Sequence, residues 1–159
     1  MLARSKQIVE AIEAAIADSG LPAELRTRVV RQKVPAVRMS ELTGEPFPLL
    51  LLSLVSDEAE GGTGGGTNLR DDATYSAEVR LIAEDGPEPS TAWDDLITWR
   101  ETLRKQFHHR TEPFETLTEF VRCEVAAGPV FDRAQWLNSR LLISLLTIRV
   151  TLRESRSAG

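Results

Sequence analysis

Several residue types that mark specialised classes of protein are scarce in this chain of 159 residues. Its one cysteine, Cys123, excludes an internal disulfide and is typical of a protein from a reducing cytoplasm. The longest apolar run, Leu49–Leu52 extended through Leu54 and Val55, is far shorter than the ~18–20 residues that a membrane-spanning helix needs. The amino-terminal stretch MLARSKQIVEAIEA carries two glutamates, which predicts a soluble helix rather than a signal peptide.

The overall composition predicts one folded domain spanning residues 1–159. Hydrophobic residues make up 42% of the chain and charged residues 27%, proportions that exclude a wholly disordered protein. The net charge of −5 argues against general binding to nucleic acids, because phosphate contacts need a basic face.

The charges are unevenly distributed along the sequence. Residues 57–95 include 11 acidic and two basic side chains, whereas residues 1–40 include seven basic and four acidic ones. Segments of opposite sign favour the packing of copies of the chain against each other, basic edge to acidic edge. A solvated acidic loop region is the alternative interpretation.

Apolar spacing predicts two long helices. Isoleucines and alanines recur at three and four residues over residues 8–16, in a helix that ends at Ser19-Gly20 with the glycine as a left-handed cap. A second helix covers residues 91–107, with Asp94 and Asp95 in its first turn, where the helix dipole favours acidic side chains. Its broad apolar stripe comprises Trp93, Leu96, Ile97, Trp99, Leu103 and Phe107.

Three strands are predicted between these helices. Residues 28–38 predict a strand at a sheet edge, because Pro35 removes a ladder donor. The apolar run over residues 49–56 predicts a strand covered on both faces. Residues 57–72, with five glycines in six positions, predict a flexible loop, and the clean alternation over residues 73–84 predicts the third strand.

Two further strands, over residues 117–125 and 141–154, follow the second helix, and a frayed tail is expected at residues 155–159. The order is helix, three strands, helix, two strands. Together these elements predict an α+β domain, with a mostly antiparallel five-stranded sheet and two main helices packed on one face.

Three features invite a chemical interpretation, and each has a simpler one. The glycines of residues 61–66 lack the lysine and the following helix of a phosphate-binding loop. Adjacent His108 and His109 point about 100° apart on a helix, whereas a shared metal usually needs a spacing of three or four residues. Cys123 has Val121 and Val125 at two-residue spacing on the same face of its strand, as a small core residue does. We therefore expect no catalytic residue, metal, cofactor or enzymatic activity.

The tryptophans predict both core packing and a contact with a partner. Trp93 and Trp99 lie on the apolar stripe of the second helix and are expected in the core. Trp136 lies in the polar segment FDRAQWLNSR between two strands, which predicts an exposed anchor for a neighbouring subunit.

The order and texture of these segments resemble the tail-terminator or tail-completion proteins (also called neck or minor tail proteins) of long-tailed bacteriophages and prophages. The resemblance covers nearly the whole chain and is one of layout rather than of an invariant motif. It is carried by IVEAIEAAI, PFPLLLLSLVS and the polar loop after it, ATYSAEVRLIAE, WDDLITWRETLRKQF and CEVAAGPVFDRAQWLNSRLLISLLTIRVTLRE.

The resemblance implies a virion protein that is made in the host bacterial cytoplasm and has no catalytic role or cofactor. Such proteins assemble into a ring, typically of six copies, which stops the polymerisation of the tail tube. The implied partners are other copies of the chain, the tail-tube protein and the head–tail connector or neck proteins, with DNA only as passing cargo and no membrane.

We expect the interface with other subunits or partners to include the end of the second helix, the acidic residues before the third strand and the exposed tryptophan. The residues predicted there are Arg100, Arg104, Lys105, Asp71, Asp72 and Trp136. Other interpretations stay open. One alternative is another ring protein of the neck, the tail tube or the head-completion complex. Alternatives from other classes are a small hydrolase, a nucleotide-binding enzyme and an adaptor domain.

Overall fold

The computed structural model describes residues 3–27, 29–31, 47–60, 70–85, 91–128, 130 and 141–155. These residues form helices and strands in an α+β arrangement. The helices are α1 (Arg4–Ala17), α2 (Ala23–Arg26) and α3 (Ala92–Phe107), and a 3-10 turn covers Glu112–Phe114. The strands are β1 (Val29–Arg31), β2 (Leu49–Glu60), β3 (Arg70–Glu84), β4 (Phe120–Ala127) and β5 (Leu141–Ser155).

The five strands form one sheet in the order β1-β2-β3-β5-β4. Within the described residues β1 runs parallel to β2 and pairs with Leu50–Leu52, whereas the other three pairings are antiparallel. The predicted α+β class and mostly antiparallel sheet are confirmed. So is the edge position of the first strand, although residues 32–38 of that predicted strand lie outside the described residues.

Alternation along the central strands determines which side chains enter the main core. Alternate residues of β3, from Ala73 to Ala83, face the same side as alternate residues of β5, from Leu142 to Leu152. Both long helices cover this face, as predicted. Each large aliphatic side chain that is fully buried there stabilises the fold by about 1.5–3 kcal/mol. The helical side chains in the core include Ile8, Ile12, Ile16, Leu96, Leu103 and Phe107.

A second buried cluster lies on the other face of the sheet, beside β1. It consists of Leu49, Leu51, Ile82, Leu141 and Ile143. Since the intervening leucines of β2 belong to the main core, the apolar run of β2 is buried on both faces, as its sequence predicted.

The end of α1 differs from the predicted glycine cap. The helix ends at Ala17, and the φ angle of Gly20 lies outside the left-handed region. Ser19 satisfies the terminal carbonyl instead, because its N–H and its Oγ–H both donate to the oxygen of Ile16, at 3.1 and 2.6 Å. The cap is therefore a buried serine rather than a glycine.

The hairpin of β2 and β3 extends into the predicted loop of residues 57–72. β2 continues to Glu60, which pairs with Asp72, because ladder hydrogen bonds join backbone groups and need no apolar side chains. Residues 61–69, with the glycine run, lie outside the described residues. β5 likewise reaches Ser155, the first residue of the predicted tail, and residues 156–159 lie outside the described part of the chain.

The two tryptophans of α3 have different environments. Trp99 packs against the main core, as predicted, whereas Trp93 is 52% exposed and its assignment to the core is wrong. At 100° per residue, Trp93 lies at the margin of the line formed by Leu96, Leu103 and Phe107, and it stands in the first turn of the helix. A marginal position on an end turn leaves half of a large ring exposed.

Gly128, which follows β4, is expected to be intolerant of a side chain. A Cβ at this position would lie 2.9 Å from the carbonyl oxygen of Leu145 and 3.0 Å from its Cγ. We expect Gly128→Ala to lower the free energy of unfolding by about 1–3 kcal/mol through overpacking, measured by urea denaturation. In the control, Gly20→Ala, the new Cβ would meet Thr102 Cγ2 at an ordinary 3.7 Å. Equal destabilisation by both variants would contradict the prediction.

Candidate functional site

Arg100 joins α3 to the adjoining ends of β4 and β5. Its Nη1 donates to Ser144 Oγ at 2.9 Å and to the carbonyl oxygen of Leu145 at 2.7 Å, and its Nη2 donates to the carbonyl oxygen of Gly128 at 2.8 Å. Burial lowers the pKa of the Arg100 guanidinium, and the charge of Arg104 adds to this effect. Among the predicted interface residues, Arg100 thus has a role inside the subunit.

Arg104 and Lys105 are exposed in the last turn of α3. Cations in this position are favoured by the carboxyl end of the helix dipole. Lys105 also lines a cleft of about 370 Å³ between the end of α1 and the turn after α3, together with Asp18, Arg110 and Glu112. Because the cleft contains both signs of charge, it offers no uniformly charged site to a ligand.

Asp72 lies on the outer face of the sheet, opposite the helices, because it alternates with the core residue Ala73. Its Oδ1 accepts a hydrogen bond from Arg153 Nε at 3.0 Å. This hydrogen bond makes the largest contribution to the raised pKa of Arg153, and the negative charge of Asp72 makes the second. Since α3 covers the other face, the sheet separates Asp72 from Arg104 within one subunit.

The other two predicted contact residues are Asp71 and Trp136. Asp71 stands opposite Glu154 in the pairing of β3 with β5. Trp136 lies outside the described residues. Their place in an interface stays a prediction.

The outer face of the sheet also carries an ion pair that the sequence patterns did not single out. Glu78 Oε2 and Arg80 Nη2 lie 3.1 Å apart, and the two side chains are only 18% and 19% exposed. Glu78 Oε2 and Arg80 Nη1 make no hydrogen bond. Two charged residues of opposite sign at two-residue spacing in a strand share a face, which was the available signal. A pair desolvated in this way adds little net stability.

His108 and His109 close the outer edge of β4. The backbone N–H of Val125 donates to His108 Nδ1 at 3.0 Å, and the backbone N–H of His109 donates to the carbonyl oxygen of Cys123 at 3.0 Å. His109 adopts a left-handed φ of 56°, which is uncommon for a residue other than glycine. The two histidines thus satisfy backbone groups that another strand would otherwise bind. Their sequence predicted an exposed helix end but gave no signal of this edge contact.

Cys123 is a core residue, as predicted. Its side chain faces the main core and is 1% exposed, and burial, together with the charge of Glu124, raises the pKa of its thiol to about 12. A cysteine nucleophile needs the opposite, a thiol whose pKa is lowered. In the described residues no group of three or more His, Cys, Asp or Glu side chains is arranged to hold a metal ion.

The chain matches no protein-family model, and no curated protein matches its sequence. None of the helices within the described ranges is long and apolar enough to cross a membrane.

Removal of the Arg100 guanidinium is expected to destabilise the fold. In Arg100→Met, Ser144 and two backbone carbonyls lose a charged donor, so we expect the free energy of unfolding to fall by about 2–4 kcal/mol. The control is Arg104→Met, at an exposed position of the same helix, with an expected change within about 0.5 kcal/mol. Urea denaturation of both variants measures the difference, and a similar small effect in each would contradict the structural role of Arg100.

The thiol of Cys123 is expected to be unreactive in the folded protein. Raising its pKa from 9.0 to about 12 reduces the thiolate fraction at pH 8 on the order of a thousandfold, before steric protection is counted. We expect a correspondingly slower reaction with Ellman's reagent than in urea-unfolded protein. The folded state holds the thiol proton more tightly than the unfolded state does. Proton binding by Cys123 therefore stabilises the fold below pH 9, and this stabilisation is lost between about pH 9 and 12. Equal reaction rates in folded and unfolded protein would refute the assignment.

Proposed function

We propose that this protein is a structural virion protein of a long-tailed phage or prophage. In this role it forms a ring, typically of six copies, that terminates the tail tube and joins it to the head–tail connector. The observation that carries the proposal is the element order, with two long helices packed on one face of a mostly antiparallel sheet, which resembles that of the family. Arg104 and Lys105 are exposed cations at the end of α3, where we expect a neighbouring copy to bind.

The exposed cations Arg104 and Lys105 favour contact with an acidic surface of a neighbouring copy. Contact between unlike surfaces is heterologous, and it generates a closed ring when the rotation between neighbours closes. A closed ring suits a protein that ends a tube, binds the tail-tube protein on one face and the connector or neck proteins on the other, and lets DNA pass.

The sibling proposal is another ring protein of the neck, the tail tube or the head-completion complex. Two long helices on one face of the sheet favour a tail terminator over a tube subunit, for which we expect a β-sandwich with fewer helices. The enzyme alternative predicts instead a bound metal or a nucleotide-induced rise in melting temperature.

Charge reversal at the end of α3 is expected to weaken ring assembly. We expect wild-type protein to form a ring in native mass spectrometry, and Arg104→Glu/Lys105→Glu to self-associate at least about tenfold more weakly. Lys6→Glu/Arg149→Glu is the control, because both residues are exposed and the net charge changes equally. Unchanged assembly in the first variant would remove these two residues from the interface.

The function itself is tested with tail tubes that lack their terminator. We expect the purified protein to bind the tube end, to stop further growth and to allow heads to join. A strict monomer at high concentration that also fails to bind tubes would refute the proposal. Metal found in the purified protein, or a thermal shift with nucleotide, would favour the enzyme alternative.

A further inference from the structure

The first two residues after α3 bind two backbone groups of β4. The N–H of Val125 donates to the ring nitrogen Nδ1 of His108 at 3.0 Å, and the N–H of His109 donates to the carbonyl oxygen of Cys123 at 3.0 Å. Residues two apart in a strand direct their backbone groups to the same edge. The imidazole nitrogen therefore stands where the carbonyl oxygen of a neighbouring strand would stand. These two hydrogen bonds form the β4 clasp.

The first bond of the β4 clasp requires a neutral ring. A backbone N–H can only donate, so Nδ1 of His108 has to offer its lone pair, and the proton of the neutral ring then lies on Nε2. A protonated imidazole carries a hydrogen on both nitrogens and accepts nothing. A solvent proton and the N–H of Val125 thus compete for the same lone pair.

Most of the charged groups near His108 are basic. The ring centroids of His108 and His109 lie 3.9 Å apart, so two protonated rings would repel each other. The titratable and charged residues at the end of α3, in the turn after it and on β4 are Arg104, Lys105, His109, Arg110, Glu112, Arg122, Cys123 and Glu124. Glu112 and Glu124 each lie within 4.0 Å of an arginine. These surroundings do not compensate the charge of a protonated ring held in the clasp.

The second bond of the β4 clasp holds His109 in an uncommon backbone conformation. Its φ of 56° lies in the left-handed region, which a residue other than glycine adopts where surrounding contacts hold it there. The bond from its N–H to Cys123 is such a contact. Loss of the neighbouring bond at His108 weakens this support, so the two bonds are expected to open together.

We propose that His108 is a pH-sensitive switch, which closes the β4 clasp when its ring is neutral and opens it when the ring is protonated. Histidine changes its charge between about pH 5 and 8, and the exposed ring of His108 can take its proton directly from water. Since only the neutral ring accepts a hydrogen bond, the clasp is closed above this range and opens as the pH falls through it. The switch lies within one subunit and does not depend on the proposed ring function.

Hydrogen exchange of the Val125 amide tests the switch. Each exchange rate is divided by the rate of an unstructured chain at the same pH, which gives a protection factor free of the intrinsic effect of acid. We expect the protection of Val125 to fall at least about tenfold between about pH 7.5 and pH 5, because histidine gains its proton over this range. Val79, buried in the middle of the sheet, is expected to keep its protection, which separates opening of the clasp from acid unfolding.

Variants of the two histidines assign the titration. His108→Asn replaces Nδ1 with an amide oxygen that accepts a hydrogen bond and does not titrate, so Val125 is expected to stay protected at both pH values. His108→Ala has no acceptor, and Val125 is expected to be unprotected at both. His109→Asn is the matched control, because asparagine retains the backbone N–H and tolerates a left-handed φ, and it is expected to keep the acid response of the wild type.

Three results would overturn the proposal. They are unchanged protection of Val125 in wild-type protein between the two pH values, an acid response that persists in His108→Asn, and an acid response that is lost in His109→Asn. An acid response in wild type and in His109→Asn, with none in either His108 variant, supports the switch.

Discussion

The pairing of β3 with β5 is the constraint on which the other elements depend. All 15 residues of β3 take part, from Arg70 opposite Ser155 to Glu84 opposite Leu141. Since side chains alternate along a strand, this register sends one set of residues to the helices and the other to the outer face. A shift of one residue would exchange the two faces. The main core and the position of acidic Asp72 away from α3 are thus consequences of the same backbone pairing.

Polar contacts at separate points hold the helical layer on this sheet. Arg100 bonds to the adjoining ends of β4 and β5, His108 accepts from β4, and the Nη1 of Arg4 in α1 donates to Thr118 Oγ1 at 3.0 Å. Each of these side chains has donors or acceptors that also serve in catalysis and ligand binding. Each of them bonds to another element of the chain, and so joins a helix to the sheet or to the turn before β4.

Sequence periodicity predicted those features that depend on one segment alone. The alternation over residues 73–84 gave the core face of β3, and the stripe of α3 gave its buried side, because each pattern records burial directly. Features that depend on two distant segments had no such signal. The closure of β4 by His108 involves a backbone N–H, which side-chain patterns do not report. The capping of Ile16 by Ser19 is local, and it was missed because the neighbouring glycine is the more common cap. The parallel pairing of β1 also depends on its neighbour in space rather than on its own residues.

The two residues after α3 limit strand addition at the β4 edge of the sheet. Because His108 and His109 occupy the backbone groups of Cys123 and Val125, β4 cannot add a strand there without losing these bonds. The residues that end α3 thus also protect this edge strand from pairing with another chain.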